Sequence, residues 1–246
     1  MTPGYQYVWL LWSSAFLVPW ALLYFMWPAS RPHMLRVSAA TSLLGLAEPI
    51  FVPEYWNPPS LFDLAQRTGF DIESFIFCFA IGGIASVLYS ALARRQPAAV
   101  AAGGRSSARH RLHALALMMP YIAFPFLYAL SWNPIYPGIV ALAIGAVSTV
   151  ACRPELSRKT LFGGLLFLAL YAAFMVLLVV FTPGYIGRVW NLSDLSGVLI
   201  AGVPLEELAF GFAFGMYWSG LYEHLSWRAI GARTASAFVP HRGHHG

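Results

Sequence analysis

The chain has 246 residues, of which 59% are hydrophobic and only 10% charged. Soluble domains carry about a quarter charged residues, so a water-soluble fold of this length is excluded and the chain's natural solvent is a bilayer. The formal net charge of +5 does not point to nucleic acid, because the basic residues lie between apolar stretches and do not form one face.

In chain order, apolar segments near the ~20 residues that cross a bilayer fall at 5–27, 34–53, 70–93, 112–130, 134–152, 160–182 and 203–224. The first has no basic leader and exceeds a signal-peptide core, so it is expected to be an uncleaved span. Glu48-Pro49 interrupts the second, and residues 94–111, rich in Ala, Gly and Arg, read as a linker. Loop charge sets the direction. With the N-terminus outside, the inner segments hold Arg31, Arg36, Arg94, Arg95, Arg105, Arg109, Arg111, Arg153, Arg158, Lys159, Arg228, Arg233 and Arg242, and the outer ones only Arg67 and Arg188. The expected fold is therefore all-α and polytopic, with seven transmembrane helices, the N-terminus outside and the C-terminus cytoplasmic.

The chain also resembles itself. Shifted by 133 residues, 69–92 and 202–225 share ten identities in 24 columns, among them Gly69 with Gly202, Glu73 with Glu206 and Phe77 with Phe210. Upstream, Trp56-Asn57 recurs as Trp190-Asn191, and 31-RPHMLR-36 echoes 153-RPELSR-158. Two three-helix repeats are expected at 1–95 and 134–228. A basic linker and connecting helix lie between them at 96–133, and a tail expected to be disordered follows at 229–246. Three spans reverse direction, so the linking helix makes the two repeats parallel, related by an axis along the membrane normal.

Glu73, Glu206 and Glu207 stand at the heads of apolar runs. Two readings apply. As first-turn residues after Asp71 and Pro204, they serve the helix dipole by about 0.3–1 kcal/mol. As paired carboxyls in an apolar setting, they keep a proton on one member, since desolvation and like-charge repulsion both oppose double ionisation. Intramembrane ionisable groups are functional candidates by default. Tyr55, Trp56, Phe75, Phe77, Tyr185, Trp190, Phe210 and Phe212 flank them. Aromatic faces stabilise a desolvated cation by about 2 kcal/mol, and aromatics also form interfacial belts, although a belt does not need the recurring asparagines.

Other motifs read structurally. Gly211-x-x-x-Gly215 points to close helix packing. Cys78 and Cys152 have no metal-ligand spacing and read as packing residues. His224 is expected to snorkel at the inner end of the last span. The tail 241-HRGHHG-246 could hold a metal, with a disordered end as the plainer reading. No Gly-x-Gly-x-x-Gly follows a strand pattern, so no dinucleotide or flavin fold is indicated. No aspartate-rich diphosphate motif appears, against a prenyltransferase.

With 190-WNLSDLSG-197, 204-PLEELAF-210, 56-WNPPSLFD-63 and 69-GFDIESFIF-77 in hand, the chain resembles the membrane-integral, flavin-independent lycopene cyclases, in their fused single-chain form. The resemblance implies protonation of a terminal double bond in a lipid-dissolved linear carotenoid, ring closure through a carbocation, and proton loss to a β-ionone ring. It implies no cofactor, no metal and no nucleic-acid partner, in the cell membrane of a bacterium or archaeon. Glu206, Glu207 and Glu73 are the expected catalytic residues. Trp190, Asn191, Asp194, Trp56, Asn57, Phe77 and Phe210 are the expected substrate contacts. The first repeat departs from the motif, reading Asp71-Ile72-Glu73-Ser74 where the second has Pro-Leu-Glu-Glu, which places the main site at Glu206/Glu207. The rival readings are a carotenoid hydratase, a C50 carotenoid cyclase, and a transporter or non-catalytic scaffold. A retinal protein needs a buried Schiff-base lysine, whereas Lys159, the one lysine, is expected at the cytoplasmic edge.

Overall fold

The computed structural model describes residues 5–99 and 108–233. The chain is a bundle of helical rods: α1 (Val8–Met26), α2 (Pro28–Phe51), α3 (Ile72–Leu92), α4 (His113–Tyr128), α5 (Ile135–Cys152), α6 (Pro154–Phe181) and α7 (Leu205–Leu225). Each coincides with a segment expected from apolar length. Five of them, α1, α2, α3, α5 and α6, are long and apolar enough to cross a membrane. At 16 residues α4 is shorter, with Pro120 and Pro125 inside it, and α7 carries Glu206, Glu207 and Glu223. The outer flanks expose Leu11, Phe25, Phe126, Val180 and Phe181, side chains that suit lipid and not water. This is a membrane protein.

Local chemistry accounts for the irregularities. In α1 the helix breaks at Phe16, where Pro19 withholds the N–H that the preceding turn would accept. Helix α2 tightens to 3₁₀ geometry over Leu43–Ala47 before Glu48-Pro49, as the interrupting proline predicts. Asp71 caps α3, its carboxylate accepting the Ser74 N–H at 2.5 Å. Pro204 stands just before the first residue of α7, not at the helix's first position.

At the centre, α7 packs on α3, α5 and α6, while α3 also meets α1, α2 and α6. Small residues permit these approaches. A Cβ on Gly215 would lie 2.6 Å from Phe167, and one on Gly211 2.9 Å from Tyr171, so Gly211-x-x-x-Gly215 is a packing motif. Trp218 Nε1 donates to Thr41 Oγ1 at 2.7 Å, tying α7 to α2.

Two small sheets depart from an all-α expectation. A hairpin, β2 (Leu199–Ile200) with β3 (Val203–Pro204), precedes α7. It turns through Ala201 and Gly202 at φ of 51° and 81°, the left-handed pair of a tight hairpin. At the other end β1 (Arg95–Ala99) runs antiparallel to β4 (Arg228–Arg233). Part of the expected linker and the first residues of the expected tail are thus paired strands. Residues 100–107 and 234–246, with 241-HRGHHG-246, lie outside the described residues.

Candidate active site

The loops before α3 and α7 meet face to face. Asn57 N donates to Val189 O at 2.8 Å and Asn191 N to Tyr55 O at 3.0 Å, a short antiparallel bridge that sets Trp56 against Trp190 with ring centroids 5.4 Å apart. The recurring Trp-Asn pairs therefore have a structural job: their backbones clasp the two halves of the chain together.

Beneath this clasp is a cavity of about 400 Å³, within the range of about 300–1,000 Å³ typical of small-molecule sites. Its walls are aromatic, with Trp9, Phe16, Phe77, Tyr171, Phe210 and Phe214 among the lining rings. The rings brace one another, Trp9 standing edge-on to Trp56 at 4.6 Å and Phe214 stacking on Trp218 at 4.4 Å. Leu44 and Tyr121 also line it and are 39% and 53% exposed. The cavity thus opens sideways, between α2 and α4, onto the apolar flank of the bundle.

One carboxyl from the expected trio reaches this space. Glu207 is 5% exposed and lines the cavity. Three donors converge on it: Tyr55 Oη at 2.5 Å and Trp190 Nε1 at 2.8 Å on Oε1, and the Tyr171 hydroxyl on Oε2. Burial, and the Glu207 carboxylate beside it, hold the Tyr55 phenol well above its ordinary range, so it stays a protonated donor. Among the described residues, no lysine or arginine lines the cavity.

Glu206 and Glu73 are also buried, at 3% and 0%, but neither lines the cavity. Glu206 accepts from Tyr136 Oη and from Ser196 N, both at 2.8 Å. Glu73 accepts from Leu61 N at 2.7 Å. Each receives a backbone N–H from the loop just upstream of its helix and so braces that loop. Of the expected substrate contacts, Trp56, Trp190, Phe77 and Phe210 line the cavity. Asn57 and Asp194 are exposed. Asn191 donates to Asp194 at 2.6 Å and, like them, does not line it.

Reading the residues alone missed two cavity groups. Tyr171 sits mid-span in α6 with nothing in its neighbourhood to mark it. Glu48 was visible only as a helix interruption. It is 7% exposed and lines the cavity, its Oε2 accepting from Ser74 Oγ at 2.8 Å while Oε1 is buried without a partner. Ser74 occupies the position that aligns with Glu207.

Away from the cavity, one expectation is overturned, and the lysine at the helix edge is found buried. His224 does not snorkel: it is fully buried, with Nδ1 3.2 Å from Thr149 Oγ1. Lys159 is also fully buried, in an ion pair with Glu223. The apolar surroundings make that pair mandatory, since either charge alone is costly there. Lys159 does not line the cavity.

Residues 133–225 match the family model for lycopene cyclase. That region belongs to the lycopene cyclase family. It holds Tyr136, Tyr171, Trp190, Glu206 and Glu207, so a cyclase-family segment supplies much of the site, while Glu48, Tyr55 and Trp56 come from the half outside the match. No curated protein and no solved structure matches the chain.

Proposed function

We propose that this chain closes a six-membered ring at the end of a linear carotenoid of the lycopene type, within the aromatic cavity and by acid–base chemistry alone. The reading rests chiefly on Glu207, a buried carboxyl held by three donors at an apolar cavity with aromatic walls. In this proposal α4 and α7 span the membrane with the other five helices. The two three-helix units are parallel repeats, and the clasped loops lie at the extracytoplasmic rim.

The polyene end enters from the lipid through the lateral opening between α2 and α4. Glu48, in its neutral form, gives its proton to the terminal double bond. This explains why one of its oxygens has no donor: a charged oxygen buried that way costs several kcal/mol, whereas an acid hydroxyl is itself a donor. The resulting tertiary cation is attacked by the next double bond along the chain, two methylenes away, and the new carbon–carbon bond closes the six-membered ring. The charge now sits on the ring, where the π faces stabilise it and the apolar walls withhold the water that would capture it as an alcohol. Glu207, held as a carboxylate, offsets the cation and takes the departing proton. Loss from the carbon at the new ring junction gives the β-ionone form.

One proton is delivered and one removed, so the product is an isomer of the substrate. The pair resets when a proton returns from Glu207 to Glu48. Glu73 and Glu206 hold the two loops in place and thereby fix Tyr55 and Trp190 on Glu207. The deciding experiment is to reconstitute the purified chain in liposomes loaded with lycopene, without nucleotide or reductant, and to analyse pigments by chromatography. Cyclic product of unchanged mass supports the reading. A product heavier by one water identifies a hydratase, and recovery of lycopene unchanged with folded protein removes the proposal.

A further inference from the structure

At the end of the bundle away from the clasped loops, three side chains with metal-ligating atoms converge. Cys152 Sγ, on the last residue of α5, lies 3.5 Å from His110 Nδ1 and 3.4 Å from His113 Nδ1. One ligand atom from each of the three residues lies within 4.8 Å of the other two. In a tetrahedral zinc site with a Zn–S bond of about 2.3 Å and Zn–N bonds of about 2.0 Å, a sulfur–nitrogen edge is about 3.5 Å. Both sulfur–nitrogen separations match that edge.

We propose that Cys152, His110 and His113 form a binding site for a borderline-soft transition-metal ion of the Zn²⁺ class. The donor set selects for it, because one thiolate and two imidazoles suit Zn²⁺ and disfavour Mg²⁺ or Ca²⁺, which take oxygen ligands. Both histidines present Nδ1 to the sulfur, the same ring atom, His113 as the first residue of α4 and His110 from the 3₁₀ turn just before it. The remaining nitrogen of His113, Nε2, is buried. Trp227 walls the site on one side, stacked on His113 with centroids 4.1 Å apart, and His224 stands edge-on to His113 at 4.5 Å. The neighbouring Arg153 does not repel the ion with a bare charge: Glu155 pairs with its guanidinium, which also donates to the carbonyls of Glu223 and Arg228. Three protein ligands leave a fourth position for water or another donor. The ion would pin the start of α4 to the end of α5, fastening the chain where it re-enters the bundle after the basic linker. This site is independent of the cyclase reading.

Cobalt(II) tests it, since only a bound thiolate gives the sulfur-to-cobalt charge-transfer band and tetrahedral cobalt gives intense visible absorption. The full chain, purified without a histidine tag and stripped with a chelator, carries His241→Ala, His244→Ala and His245→Ala to silence the tail. Titration is expected to give one thiolate-bound cobalt per chain, displaced by Zn²⁺. Cys152→Ser should abolish the charge-transfer band and His113→Ala should weaken binding at least tenfold, while Cys78→Ser leaves both unchanged. Helical circular dichroism reports that each variant is folded. Absence of the band in the folded parent, or its persistence in folded Cys152→Ser, overturns the proposal and leaves a thiol–imidazole hydrogen-bond cluster.

Discussion

Ser74 donates a hydrogen bond of 2.8 Å to Glu48, and both side chains line the cavity that Glu207 enters from the other half of the chain. Ser74 and Glu207 are equivalent positions at an offset of 133 residues. Where the second half places a carboxyl on the helix itself, the first places a hydroxyl that holds a carboxyl from α2. The departure of Ile72-Glu73-Ser74 from Leu205-Glu206-Glu207 thus leaves the cavity with one acid from each half of the chain. Glu48→Gln and Glu207→Gln should each lower ring formation by about 10²–10⁴-fold, the usual contribution of a positioned acid or base. Ser74→Ala, losing one hydrogen bond of about 0.5–1.5 kcal/mol, should cost only about 2- to 13-fold. Cyclic pigment per folded protein is the measure. Full activity in Glu48→Gln would show that the proton comes from elsewhere.

Tyr55 and Tyr171 address different oxygens of Glu207. A hydrogen bond to a charged group contributes about 1.5–3 kcal/mol, so Tyr171→Phe and Tyr55→Phe should each slow cyclisation by about tenfold to a hundredfold. Because both act through one carboxylate, the double variant should fall short of the product of the two singles. Strict multiplicativity in the same pigment assay would mean that the hydroxyls serve separate steps.

Glu206 and Glu73 predict a different pattern. Each accepts a backbone N–H from the loop upstream, a task that a glutamine carbonyl performs nearly as well. Glu206→Ala and Glu73→Ala each remove a hydrogen bond to a half-buried loop N–H and should lower stability by about 0.5–1.5 kcal/mol. Glu206→Gln and Glu73→Gln should restore most of it, with turnover per folded molecule close to the parent. Thermal melts in detergent, read beside pigment yield, separate the two effects. A Glu206→Gln protein of unchanged stability and no turnover would move Glu206 into the chemistry.

How far these arrangements can be read from sequence depends on the distance over which the signal acts. Helix positions follow from runs of apolar residues, and the starts and ends of α1 to α7 fall close to the expected segments. The clasp between Trp56-Asn57 and Trp190-Asn191 is announced by the recurrence of the motif, although recurrence alone does not say that backbones pair. The roles of adjacent glutamates are harder. Successive helical residues point about 100° apart, so Glu206 and Glu207 necessarily face different surroundings, and only packing decides which one meets the cavity. Glu48 is masked by Pro49, whose helix-breaking character explains the local sequence without any function. His110 and His113 are three apart, a ligand-like spacing, yet their partner Cys152 lies 42 and 39 residues onward. No local pattern joins them.

The buried pair of Lys159 and Glu223 offers a test of stability apart from catalysis. Lys159 and Glu223 are 0% and 1% exposed as side chains, so neither charge has water to fall back on, and both lie at the end of the bundle away from Glu207. Removing one partner strands the other, at about 3–5 kcal/mol. Glu223→Gln should therefore melt well below the parent in detergent, and Lys159→Met should do the same. Replacing both together, as Lys159→Met with Glu223→Leu, removes the desolvation cost along with the attraction, so the double variant should recover most of the loss. Cyclisation per folded molecule should be unchanged in all three, since neither residue lines the cavity. Loss of turnover in a double variant as stable as the parent would instead tie this ion pair to the reaction.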